Sequence, residues 1–215
     1  MHSPYIIHMK GLKAVLFICL TSANEMVNVP DNEMLDACLM RIAQKDTDAL
    51  GELYERTKNA VYSYALSIMH SPYEAEDVMH DCYLRVFASA ASYKSGGKPM
   101  AWIMTIAKNL CYMRFRDRKK TEFISDEDIQ RYISDNTTIS HEDGVILMEC
   151  MNTLSDEERN IIVLHAVAGL KHREIAQVTG LALPTVLSKY RRALNKLKKI
   201  LADDNGSEGG NGNDR

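Results

Sequence analysis

The chain is poor in proline, with five in 215 residues, and it lacks long runs of Val, Ile and Thr. Both absences argue against a sheet protein and for helices. Aromatic residues are few, at 7%, while methionine is plentiful at 12. Flexible thioethers suit the irregular gaps between packed helices. The five cysteines (Cys19, Cys38, Cys82, Cys111 and Cys150) are scattered, with no Cys-x-x-Cys or Cys/His cluster. That excludes a disulfide framework and a zinc site, and it fits a reducing cytoplasm. His165, His172 and Glu174 are near one another in sequence but match no metal-ligand or acid–base constellation. No metal, no cofactor and no catalytic residue are therefore expected, and the chain does not read as an enzyme. The apolar run Ala14–Leu20 behind Lys10 and Lys13 loosely resembles a secretory signal. It is far short of the roughly 20 residues that cross a bilayer. The simpler reading makes residues 1–25 an unstructured upstream extension, with the patterned chain starting at Met26.

Net charge is −3, so the whole-chain balance gives no hint of nucleic acid. The distribution does. Lys108, Arg114, Arg116, Arg118, Lys119 and Lys120 stand against one acid, Asp117, and a second basic group runs from Lys189 to Lys199 with no acid at all. Between Glu122 and Glu158 lie eleven acids and one arginine. Two basic segments separated by an acidic one point to two surfaces for polyanions, or more blandly to two solvated helix faces.

Periodicity predicts an all-α protein: two small helical domains joined by a flexible linker, the C-terminal one a helix-turn-helix. The N-terminal domain covers 26–120, with helices over Asn32–Gln44, Asp48–His70, Ser71–Ala90 and from Pro99 to Arg118. Ser71-Pro72-Tyr73-Glu74 carries a capping serine, a proline suited to the first helical position and a glutamate three residues on. Residues 121–143 read as an acidic linker. The second domain covers 144–202, opened by the capping sequence Ser155-Asp156-Glu157-Glu158 and divided by Gly169 and Gly180 into three short helices. Residues 203–215, rich in Gly, Asn and Asp, read as a disordered tail.

Lys171–Leu197 has helix-turn-helix spacing. Ala176 allows a close crossing, Gly180 gives the turn its backbone freedom and Val186 plugs the space between the helices. Turning Val186, Tyr190, Ala193 and Leu197 inward leaves Thr185, Ser188, Lys189 and Arg192 outward, with Arg191 and Lys196 beside them. Such donors address base edges and phosphates in a major groove.

In the first domain Trp102, Ile106, Leu110 and Met113 are expected to form the buried stripe of the fourth helix. Lys108, Asn109, Tyr112 and Arg116 then face away, with Arg114 in the same basic run. Charge, an aromatic face and an amide are what single-strand recognition uses. The small-residue loop Tyr93–Lys98, including Lys94, is suited to admit an extruded base.

Taken in order, these segments resemble the sigma-70 family of transcription initiation factors, in its extracytoplasmic-function (ECF) group. The order is Asp48-Ala49-Leu50, Leu53-Tyr54, then AEDV (Ala75–Val78), Trp102 with Asn109 and downstream arginines, LSDEER (Leu154–Arg159) and EIA…G…TV…RRAL. The resemblance implies a factor that binds core RNA polymerase and takes it to promoter DNA. Glu76, Asp77, His80, Asp81, Tyr83 and Arg85 would grip the beta-prime clamp helices. The fourth helix and its loop would melt and read the −10 element. The helix-turn-helix would read −35 and touch the beta flap, and an anti-sigma factor is a further partner of such proteins. His80 stands where Gln is usual, Tyr83 where Phe is usual and Leu187 where Lys is common. The alternative is an operator-binding helix-turn-helix regulator, which leaves AEDV and the Trp102–Asn109 pattern unexplained. A linker of 23 residues reaches about 75–80 Å when extended, enough for two duplex turns of roughly 70 Å.

Overall fold

The computed structural model describes residues 31–118 and 151–207. The leader, the acidic linker and the last eight residues, 208–215, lie outside them. Within the described residues the chain is helical and contains no strand. Helix α1 spans Asn32–Ala43, α2 Thr47–Met69, α3 Pro72–Ser89 and α4 Pro99–Arg118, with a 3-10 turn at Ala90–Ser92. After the linker come α5 (Asp156–Ala166), α6 (His172–Thr179) and α7 (Leu183–Ser207).

Local chemistry sets these boundaries. The Asp31 and Asp46 carboxylates accept from free backbone N–H groups at the starts of α1 and α2. Ser71 caps α3 ahead of Pro72. Ser155 and Glu158 form a reciprocal capping box at α5. Gly180, at φ 79, ends α6 in the left-handed conformation that only glycine adopts freely. The last helix is longer than expected. It runs on to Ser207, through Asp203 and Asp204, where composition argued for an unfolded tail.

In the first bundle Leu35, Leu39 and Ile42 of α1 and Leu53, Val61 and Tyr64 of α2 meet Val78, Cys82 and Val86 of α3 and Ile103, Met104 and Ala107 of α4. Burial pushes the Cys82 and Cys111 thiols up to about 12, so both behave as small apolar groups. In the second bundle Ile161, Leu164, Ile175, Val178 and Val186 pack together, and Leu154, Ile162, Ala193 and Leu197 form a second cluster behind α7.

The two bundles are in contact. α5 packs against α2, and α6 against α4. Their apolar cores are continuous. Polar bonds cross the seam: the Ser67 hydroxyl donates to the Asn160 side-chain oxygen at 2.9 Å, both residues being buried. Arg159 lies 3.4 Å from the His70 ring nitrogen, and Lys98 donates to Gln177 at 3.4 Å.

Candidate nucleic-acid interface

α4 is rotated relative to the face expected from its sequence. Its buried residues are Pro99, Met100, Ala101, Ile103, Met104, Ala107, Leu110 and Cys111. Of the expected stripe, only Leu110 is buried; Trp102 and Ile106 are half-buried and Met113 is 43% exposed. The reason is packing on several sides: α4 meets α1, α2, α3 and α6, so one clean stripe cannot serve it. The apolar flank left over has a use. Trp102, Ile106, Asn109 and Met113 line an open groove of about 410 Å³ with Arg85, Ser89 and Ser92 of the neighbouring segment.

The exposed end of α4 keeps much of the expected character. Asn109, Tyr112 and Arg116 are exposed, with Lys108 half-buried. Tyr112, Met113, Phe115 and Arg116 with Asn109 frame a second open groove. Arg114 is placed differently. Its guanidinium is committed to Asp77 at 3.0 Å and Asp81 at 2.6 Å on α3. These three groups, expected to serve DNA and polymerase, pair with one another at the half-buried edge between α3 and α4.

Lys94 is exposed on the loop before α4, whereas Tyr93 is half-buried. The Tyr93 ring lies against Trp102 at 5.1 Å between centroids, and its hydroxyl donates to Asp36 of α1. Burial and this hydrogen bond both raise the Tyr93 hydroxyl well above the ordinary tyrosine range.

On α3, Tyr83 is a correction. It is 5% exposed, and its hydroxyl bonds Thr57 at 2.7 Å inside the core, so it cannot touch another protein. Burial holds its hydroxyl neutral. His80 and Arg85 are exposed, and Glu76 is half-buried. The sequence pattern missed their apolar companions: Tyr73 at 74% and Leu84 at 69% exposure flank His80 at helical spacing.

In the helix-turn-helix, Val186 is fully buried between α6 and α7, and Ala193 and Leu197 also face inward, as the spacing predicts. Ala176 is half-buried against the same core. Ser188, Arg191 and Arg192 are exposed, and Thr185 is half-buried. Lys189 pairs with Glu157 of α5. Lys196 bonds Glu158 at 2.7 Å and the Thr153 carbonyl at 3.4 Å. Burial pushes the Glu158 carboxyl up, but the Lys196 and Ser155 hydrogen bonds outweigh it and hold the group below its usual range. Leu187 is 42% exposed beside Ser188 and near Arg191 on α7.

Sigma-70 region 2 matches residues 53–121 and Sigma-70 region 4 matches residues 144–197. An ECF RNA polymerase sigma factor SigK from Mycobacterium sp. (strain KMS) is 33% identical over 178 residues, covering 78% of this chain and 90% of that protein. The chain belongs to the sigma-70 family, in its ECF group. It is a transcription initiation factor, and the two matched regions fall on its two bundles. The SigK of Mycobacterium tuberculosis (strain ATCC 25177 / H37Ra) is 29% identical, with 78% of this chain and 93% of that protein covered. The fold agrees with two solved structures. CnrH, in complex with the cytosolic domain of CnrY, gives a TM-score of 0.56 at 22% identity, covering 80% of this chain and 99% of CnrH. The sigma factor RpoE of Bartonella quintana, in complex with the anti-sigma factor NepR, gives 0.56 at 23% identity, covering 71% and 96%. Among the described residues this sigma factor has no helix long and apolar enough to cross a membrane, and no group of three metal-ligating side chains.

Proposed function

We propose that this sigma factor brings core RNA polymerase to promoters by holding two elements at once. The two grooves beside α4, lined among others by Asn109, Tyr112 and Arg116, take the melted −10 strand, and Lys108 and Lys94 serve the same strand. The first turns of α7 enter the −35 major groove, where Ser188, Arg191, Arg192 and Thr185 meet bases and phosphates. The exposed face of α3, through Tyr73, Glu76, His80 and Leu84, seats on the beta-prime clamp helices. Arg85 lies at the groove and belongs with the DNA face. We take the two domains as 26–120 and 144–202, with 121–143 as the strap between them.

One observation carries this reading. A solvent-open groove with an aromatic wall, an amide and cations occurs in the same chain as a well-formed helix-turn-helix. An operator-binding regulator needs only the second. The factor supplies binding energy and no chemistry of its own. Capture of unstacked bases offsets the few kcal/mol spent in opening each step. Work on polymerase places it in the cytoplasm, and an anti-sigma protein, like that bound to RpoE of Bartonella quintana, is its expected inhibitor.

Run-off transcription with purified core enzyme tests the proposal. The full chain is expected to start transcription at one promoter class, and Asn109→Ala to impair opening more than duplex engagement. Folded protein that fails to pull down core polymerase would refute it.

A further inference from the structure

Loop 93–98 connects the 3-10 turn to α4, and its Tyr93, Lys94, Gly96 and Lys98 line an open hollow with Trp102, a residue that also borders one of the grooves assigned above to the −10 strand. It has no regular structure, yet three of its donors converge on a single carboxylate. The Tyr93 hydroxyl donates to Asp36 Oδ1. The Ser95 hydroxyl donates to Oδ2 at 3.1 Å, and the Gly97 N–H to the same oxygen at 3.3 Å. Gly97 has φ +68, and a Cβ there would meet nothing within 4 Å. Its requirement is thus conformational: a left-handed residue turns the N–H toward Asp36. At its start the loop is fixed from the other side by the Tyr93 ring against Trp102.

Asp36 lies on α1, far from the loop in sequence, and α1 also packs against the 3-10 turn. It is half-buried, while Lys94, Ser95, Gly96 and Gly97 are exposed. Three donors satisfy the oxygens of this carboxylate and tie it to the loop. An irregular segment with few apolar contacts depends on such bonds to hold one shape.

We propose that Asp36 is a positioning residue for −10 reading: by gathering Tyr93, Ser95 and Gly97 it fixes the loop that selects the extruded base, without touching DNA itself. The proposal rests on the −10 assignment above. It predicts a change of selectivity, because a loosened loop admits bases that a fixed one rejects.

The test uses the full-length factor with core polymerase, in run-off transcription on promoters randomised across the −10 element. The variants are Asp36→Asn, Asp36→Ala and Tyr93→Phe. Asn keeps one acceptor oxygen but turns a donor toward the loop. Expected is a loss of about tenfold in preference for the favoured −10 base in Asp36→Ala, a change the size of one or two charge-assisted hydrogen bonds. Asp36→Asn should fall between it and the parent, as should Tyr93→Phe, with affinity for core polymerase unchanged. A uniform drop across all −10 sequences, or an unchanged profile, in Asp36→Asn and Tyr93→Phe would overturn the proposal. Should Asp36→Ala not fold, those two milder variants still decide. Asn109→Ala serves as the reference. If it shifts the −10 profile and the Asp36 variants do not, only the positioning role falls. If it too leaves the profile unchanged, the −10 assignment falls, and the proposal with it.

Discussion

Arg114 of α4 donates to Asp81 of α3 at 2.6 Å and to Asp77 of the same helix at 3.0 Å. One guanidinium thus ties two successive turns of α3 to the end of α4. Arg114→Ala is expected to lower stability by about 1–2 kcal/mol, since the pair is partly shielded and forked. Arg116→Ala, two residues on and exposed, should leave stability unchanged and weaken promoter opening. Urea melts beside transcription assays separate the two outcomes. A loss of activity in Arg114→Ala with no loss of stability would return Arg114 to the DNA face.

The core hydrogen bond between Tyr83 and Thr57 has a direction. The Thr57 hydroxyl donates its one proton to the Leu53 carbonyl at 2.7 Å, so Tyr83 must be the donor to Thr57. Thr57→Val therefore strands a buried hydroxyl proton and should cost about 1–3 kcal/mol. Tyr83→Phe leaves Thr57 bonded to Leu53 and should cost less, about 1 kcal/mol or under. Equal losses in chemical denaturation would show that the donor is assigned wrongly.

His172 opens α6, stacks on His165 at 4.7 Å and meets Tyr190 of the recognition helix at 4.7 Å. Its Nε2 is buried without a partner. Burial first, then His165, lower its pKa, and a cation at a helix N-terminus is disfavoured as well. A base whose folded pKa is depressed contributes stability that is complete above its unfolded pKa. That contribution fades as pH falls through the folded value. The melting temperature is thus expected to decline below about pH 6.5, and His172→Phe should remove most of that slope. A pH-independent melt of the parent between 7 and 5 would contradict this.

Exposure separates the cations of α7. Arg192 is free in solvent, whereas Lys189 is already paired with Glu157. Arg192→Ala should weaken −35-dependent initiation by about 1–3 kcal/mol. Lys189→Ala should weaken it less, because the parent must break an ion pair before the lysine meets DNA. Glu157→Ala frees that lysine and should strengthen duplex binding modestly. Gel shifts and initiation rates on −35 variants measure all three.

Helix starts were legible in the sequence because their signals are local: Ser71 before Pro72, Ser155 before Glu158, Pro99 at the head of α4. The helix-turn-helix was legible because Ala176, Gly180 and Val186 each answer a local steric demand. The buried face of α4 was not, since four neighbours share it and no single period describes the result. Nor could a run of cations reveal that Arg114 is spent on Asp77 and Asp81, or that Asp36 reaches a loop 57 positions away from it at Tyr93. Those pairings are made by the tertiary fold and leave no spacing behind. The end of α7 was misjudged because glycine and aspartate weigh against a helix only on average.

The seam joined by Ser67 and Asn160 sets a toll on the protein's first encounter with a promoter. A packed body of this size has a radius of gyration of about 15 Å, while the two promoter elements are roughly 70 Å apart. If the two bundles take the two elements as proposed, a molecule that keeps that seam shut is too compact to touch both. On the proposed reading, assembly on both elements would unseat α5 from α2 and α6 from α4, exposing apolar surface and two buried polar groups. The measured affinity for core enzyme is then the intrinsic one reduced by the fraction of unfastened molecules, and any ligand that grips the fastened form silences the factor without covering a single DNA contact.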